Sequence, residues 1–568
     1  MKFRLYIIFL LKLIFILDFN NNLLAKITDK YYTSSKISSY FNGILSFQEN
    51  NFTSAFKNFN ELKGLENYHG NFSKYYQNTL VNLEKFDKAY DFSRNLEKNG
   101  QDNFQSNLLI AVYELKNNNI KEASKYFRKY DKYFTGESIT GFLSSSLNNW
   151  ISFNNLSFEQ AKQRINNLDE RFKKIKKIQY AFVHCFYNKD DTDKIYEELI
   201  SNDEDLSRYS FFHANYLYRS GNVKKSNLIL SERLKKNPES LILNQFQRDI
   251  KFKKTKNFSD NFNCRNINHI FAEIFYIVSN ALSAQGLNTV SNFYLNLAKF
   301  LNKDLTSYDI LYAENLYDLN NLGQAKKVFR KISNKGKIYE WYAAKQITNI
   351  MLSEKLTENA ILFLEKKFKK IDNPNIFQIY DYADFLKRNE KYEKSLKYFN
   401  IIMEKIDENH TLYSKALDKR GVVNERLDNW ESAEKDFLNS LRVSPDQAYV
   451  INYLAYSWIE KGKNIKQSLK MLQKANDLKR NDGYIIDSLG WAHFKLKNYQ
   501  EAKLYLQKAV KIMPSDPIVN DHYGDSLWMT DKKIQARYYW KNVLRLEDIE
   551  ENLKNEIEKK LTYGLTIK

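Results

Sequence analysis

Residues 483–516 read GYIIDSLGWAHFKLKNYQEAKLYLQKAVKIMPSD, and no other stretch of the chain restricts its fold as tightly. Small and apolar residues keep the spacing of a 34-residue helix–turn–helix unit. With Gly483 at position 1, Leu489 and Gly490 stand at positions 7 and 8, Ala502 at 20, Ala509 at 27 and Pro514 at 32. Gly490 and Ala502 let two antiparallel helices approach closely. Leu489 and Leu506 fill the interface on the helical period. Pro514 ends the second helix and re-aims the chain. Such a unit cannot bury its own apolar face, so it predicts neighbours stacked on both sides.

The same phase recurs along the chain. Residues 517–550 carry Tyr523 and Gly524, then Ala536 and Trp540, at matching positions. Residues 448–482 have Leu454, Ala455, Ser468, Leu472 and Ala475, and 414–447 have Gly421, Ala433, Phe437 and Pro445. Further units fall at 376–409, 306–339 and 207–240, with a looser one at 340–375. Near the start, 36–69, 70–103 and 104–137 follow one another without a gap. The stretches 138–206 and 241–305 are degenerate but still helical in pattern. Three of the five prolines, Pro238, Pro445 and Pro514, share position 32, and Pro374 and Pro517 mark joins. Asp516-Pro517 reads as a helix start, and Asn498 with Glu501 as a capping-box-like one.

This spacing resembles the tetratricopeptide (TPR) repeat family over most of the chain, most closely from 376 to 550. The segments INYLAYSWIEKGKNIKQSLKMLQKA, DGYIIDSLGWAHFKL and NDHYGDSLWM resemble the C-terminal repeats of exported TPR proteins of Gram-negative bacteria, alphaproteobacteria especially. The expected fold is all-α: a right-handed α-solenoid of antiparallel helix pairs, a TPR superhelix, preceded by a signal peptide. The expected organisation is 1–25 signal peptide or anchor, 36–137 N-terminal repeats, 138–305 degenerate repeats, 306–375 further repeats, 376–550 well-formed repeats and 551–568 a capping helix. In that last helix Ile549, Leu553, Ile557 and Leu561 recur every four residues.

The resemblance also implies a concave groove lined by the first helix of each unit. In this chain it assigns to that groove Tyr449, Asn452 and Tyr456, then Tyr484, Asp487 and Trp491, then Asp521, Asp525 and Trp528. Aromatics on such a face give contact area at small entropic cost. The Lys-and-Asn pattern by which some cytosolic TPR co-chaperones clamp acidic peptide C-termini is absent. A neutral or basic protein segment is therefore the expected ligand, with partner identity open.

The formal charge is +20, from 88 Lys plus Arg against 68 Asp plus Glu. Lysines are spread along the helices, and the densest runs, 173–177 and 251–256, lie in degenerate segments. This reads as a solvated surface. The alternative is a basic-surface protein associating with anionic membrane or nucleic acid. At the N-terminus, Lys2 and Arg4 precede an apolar run from Leu5 to Leu17, interrupted by Lys12. That run is short for a spanning helix and suits a signal-peptide core, with Ala25 as the cleavage point. The expected location is the periplasm, or the inner membrane facing it if the segment stays attached. Cys185 and Cys264 lie in different helical units, which predicts two buried thiols.

Chemistry is sparse. His184-Cys185 is the one pair resembling a base and a nucleophile, but adjacent helical residues diverge and no oxyanion turn is near. The seven histidines form no metal-spaced set. His493 reads as a packing residue. Asp521 and Asp525 share a helix face, with His522 turned away from it. No phosphate-binding loop is present. The reading is a non-enzymatic scaffold without cofactor, metal or small-molecule substrate, serving envelope assembly, secretion or protein quality control through its groove.

Overall fold

The structure, a computed structural model, describes residues 33–565 apart from 134–137, 202–205, 255–257, 259 and 547–548. The apolar N-terminal run and Ala25 lie outside the described residues. Among those described there are helices and no strands. The chain falls into two compact units, one ending at Lys367 and the other beginning at Phe368.

The C-terminal unit is a stack of helix pairs. Ile376–Arg388 pairs with Tyr392–Lys405, Tyr413–Arg426 with Trp430–Val443, and Ala448–Glu460 with Ile465–Leu478. Gly483–Lys495 then pairs with Tyr499–Ile512, and Pro517–Met529 with Lys533–Val543, before a last helix, Glu551–Tyr563. Small residues at position 8 do what the spacing requires. A Cβ on Gly490 would stand 2.7 Å from Leu506 Cγ, and one on Gly524 2.5 Å from Trp540 Nε1.

The turns inside the pairs confirm the phase. Asn50, Glu84, Asn118, Gly221, Asn320, Glu390, Asp428, Gly462, Lys497 and Asp531 all have positive φ. Counted from 36, 70, 104, 207, 306, 376, 414, 448, 483 and 517, each stands at position 15. One left-handed residue after the first helix ends it and reverses the chain. Asn and Asp tolerate that conformation, whereas Lys497 and Glu390 hold it at a cost.

The N-terminal unit does not remain an open stack. Helix pairs run from Ser34 to Ser201, and Ser207–Arg219 and Val223–Lys236 follow. The hairpin Ile267–Ser283/Asn288–Leu301 then folds back onto the first helix of three earlier pairs: Gly70–Asn82, Phe104–Lys116 and Ile139–Ser152. Phe86 stacks on Phe300 with centroids 4.1 Å apart, and Phe127 meets Phe271 at 5.2 Å. Lys299 Nζ bridges Glu84 at 2.7 Å and Asp309 at 3.0 Å, and Lys116 Nζ donates to the Leu301 carbonyl. In Phe104–Lys116 the positions that face a groove in an open array, Gln105, Leu108, Val112 and Leu115, are all buried. The chain's own hairpin fills this face.

The fold-back corrects the cysteine expectation. Cys185 on Lys173–Phe186 and Cys264 just before Ile267 have Cα atoms 5.9 Å apart and form a disulfide. Separation along a linear array is no guide to distance once the chain returns on itself. Beside it, Arg208 donates twice to Glu273 (2.8 and 2.7 Å), and Tyr209 donates to the same carboxylate. Tyr339 donates to the buried Asp260 at 2.7 Å. These polar groups are spent on one another across three helices and a loop.

Candidate partner-binding face

The three inner helices of the last repeats carry all nine expected groove residues. Their starts are set locally. The Asp482 side chain accepts from Tyr484 N and Ile485 N, and that of Asp516 from Val519 N, with Pro517 at the first helical position. Equivalent positions of successive helices therefore share a face.

The face has an open edge and a closed floor. Tyr449 is 54% exposed and Tyr484 60%. Tyr449 donates to Asp482 at 3.0 Å, while Lys479 donates to its hydroxyl and stands 4.1 Å from the ring centre. Asn452 and Tyr456 are half-buried. Burial, reinforced by the charges of Glu460, Asp487 and Asp521, pushes the Tyr456 hydroxyl well above the usual phenol range.

On the floor, Trp491 is buried and stacks on His522 with centroids 3.9 Å apart and on Phe494 at 4.7 Å. Its indole N–H donates to Glu460 at 2.5 Å. His522 is buried too, and its Nδ1 lies 2.9 Å from Asp487 Oδ2. His522 thus pairs with Asp487 on the preceding inner helix, while Asp521 and Asp525 take Lys560. Burial alone lowers the imidazole pKa, but the Asp487 carboxylate outweighs it and the net direction is up.

Asp521 and Asp525 are both buried, and the cation between them comes from the chain itself. Lys560 Nζ donates to both oxygens of Asp521 (2.7 and 2.8 Å) and to Asp525 at 2.9 Å. Trp540 Nε1 also donates to Asp525, at 3.0 Å. One ammonium serves two carboxylates. Burial, and then the charge of Asp521, push Asp525 up to about 7 against the pull of Lys560. Burial works against the Lys560 charge, but the two carboxylates hold its pKa above the ordinary lysine value. Trp528 is half-buried beside Trp540 (5.3 Å) and lies against Gly564, where a Cβ would run into its indole.

Tyr456, Asp487, Trp491, Asp521 and Asp525 therefore gather around His522 and Lys560, while Tyr449 and Tyr484 stay at the open edge. Sequence reasoning missed Lys560 as a partner, although the four-residue stripe through Ile557 marked its helix as one that packs. Elsewhere, His493 stacks on Tyr505 (5.4 Å), and His184 is buried with Nδ1 2.8 Å from Asp191. Among the described residues no group of three or more His, Cys, Asp or Glu is placed to hold a metal ion, and no helix is long and apolar enough to cross a membrane.

A family model described as tetratricopeptide repeat matches residues 311–548. A TPR repeat-containing protein of Pseudomonas aeruginosa is 26% identical over 143 residues, which cover 25% of this chain and 23% of that protein. The solved Cut9–Hcn1 assembly of the APC/C is 12% identical over 94% of this chain and 97% of that one, with a TM-score of 0.37. YrrB, described as a TPR protein with an unusual peptide-binding site, is 16% identical over 33% of this chain and 92% of its own, with a TM-score of 0.27. Repeat phase, the shared turn position and the family match agree over residues 311–548, and that part of the chain is built of tetratricopeptide repeats.

Proposed function

We propose that this protein is a non-enzymatic, exported scaffold. It binds segments of other proteins along the inner face of its C-terminal repeats and serves envelope assembly, secretion or protein quality control. The observation that carries the reading is the open edge formed by Tyr449 and Tyr484, one repeat apart on consecutive inner helices. Exposed tyrosines at equivalent positions supply rigid contact area to an incoming chain. The corresponding face of the N-terminal repeats is taken by the 267–301 hairpin, so the C-terminal unit is the one with room for a partner. Export is supported by the basic start and apolar run of residues 2–17.

The test is capture from envelope extracts with wild type and a Tyr449→Ala/Tyr484→Ala variant. Both side chains are exposed, so the variant should fold normally while losing its partners. Trp491 and Trp528 make poorer probes because both pack against neighbouring groups. Identical partner profiles would sink the edge assignment. Recovery of anionic vesicles alone, with strong salt dependence, would favour the basic-surface alternative.

A further inference from the structure

The Asp521/Asp525 pair is a site built for an ammonium group. Two carboxylates, each less than a tenth exposed, face the same space, and buried carboxylates need a cation. Three hydrogen bonds of 2.7–2.9 Å fix where the nitrogen sits, and the indole of Trp540 orients Asp525 from behind. One turn earlier on the same incoming helix, Ile557 is fully buried among Leu527, Trp528, Leu553 and Leu561. The site thus reads two features at once: an aliphatic side chain and a lysine three residues later.

The helix that supplies them is held through few side chains: of the 13 residues in Glu551–Tyr563 only Ile557 and Lys560 are buried. Opening it leaves Asp521 and Asp525 buried without their cation, a cost that an incoming ammonium offsets. The pair also adjoins the His522–Asp487–Trp491 floor, so an occupant here is continuous with the face proposed above to bind partners.

We infer that the inner face of the last two repeats is a receptor for an amphipathic helix carrying an aliphatic residue three positions before a lysine, and that the C-terminal helix occupies it in cis as an exchangeable competitor. This deepens the scaffold reading and rests on it. A partner helix of that pattern displaces Glu551–Tyr563 and inserts its own lysine between Asp521 and Asp525.

The test uses the full chain and a fluorescein-labelled peptide of residues 549–565 as probe. A Lys560→Gln chain should bind the peptide at least about tenfold more tightly than wild type does, because its own competitor lacks the ammonium. An Asp521→Asn/Asp525→Asn chain, and a peptide carrying Lys560→Gln, should each lose binding by at least about tenfold. In the wild-type chain, hydrogen exchange of Glu551–Tyr563 should run at least about tenfold faster than that of Pro517–Met529. Equal protection of the two helices overturns the inference, as does a folded Lys560→Gln chain that binds peptide no better than wild type. A Lys560→Gln chain that fails to fold overturns it too, since an exchangeable occupant cannot be required for folding. A wild-type dimer that the peptide dissociates would place a second copy's helix in the site and overturn the partner assignment. If these arms fail while capture through Tyr449 and Tyr484 persists, the scaffold reading stands and only this inference falls.

Discussion

Lys497 and Gly490 show how much of the repeat is settled by single residues. Lys497 holds φ at 64° in the turn of the best-formed pair, a conformation that suits glycine. For an L-residue it costs roughly 1–2 kcal/mol, part of which glycine returns to the unfolded chain as entropy. Lys497→Gly should therefore stabilise the C-terminal unit by about 0.5–1 kcal/mol in denaturant titration. Loss of stability there would mean that the lysine side chain matters more than its backbone. Gly490 is the opposite case. A methyl group would stand 2.7 Å from Leu506 Cγ and 3.1 Å from Leu506 N, and backbone does not yield as a side-chain tip does. Gly490→Ala should cost about 1–3 kcal/mol by overpacking, read from the same titration. Gly490 was legible in the sequence, because close approach is a demand made within one repeat. Cys185 was not. Its partner stands 79 residues away along the chain, and no local rule places it there.

At the scale of the element, the C-terminal helix and the inner helix beneath it should respond to pH. His522 has a raised pKa through Asp487, against the effect of its burial. Asp525 is raised to about 7 by burial and by Asp521. Both groups bind protons more tightly folded than unfolded, so the stability they contribute is complete at low pH and is lost as pH rises through their folded pKa values. Hydrogen-exchange protection of Pro517–Met529 and Glu551–Tyr563 should fall between about pH 4 and 7 through Asp525, and from about pH 6.5 upward through His522. His493 in the same unit has a pKa lowered by burial, so it binds protons more weakly when folded and opposes the trend up to about pH 6.5. Asp525→Asn should flatten the slope, and a slope that persists unchanged in that variant would remove the cluster as its cause. Elements also differ in legibility. The helix Phe104–Lys116 reads FQSNLLIAVYELK, apolar nearly all round, which is the pattern of a helix covered on every side. That signal for the hairpin packed over it was present in the sequence. Nothing comparable marked Lys560, since lysines flank most helices of this chain and only a buried acidic partner distinguishes one of them.

Over the whole molecule, the disulfide belongs to the N-terminal unit, which has an apolar core of its own. Calorimetry should resolve two transitions. Reduction should lower only the transition of the N-terminal unit, by an amount corresponding to about 2–4 kcal/mol for a closed loop of this kind. A reductant that shifts both transitions or neither would contradict the assignment of the disulfide to one independently stable unit. The sequence by itself determined the repeat, its phase and the equivalent places of Tyr449 and Tyr484 on successive inner helices. These follow from helical periodicity and from which residues are small, and both act within some tens of residues. Tertiary structure alone decided which inner faces stay open. The 267–301 hairpin covers one, and Lys560 closes the far end of another. Each closure joins segments far apart in the chain, and its stabilisation comes from burying apolar area and pairing charge at a distance, which a repeating local pattern does not encode.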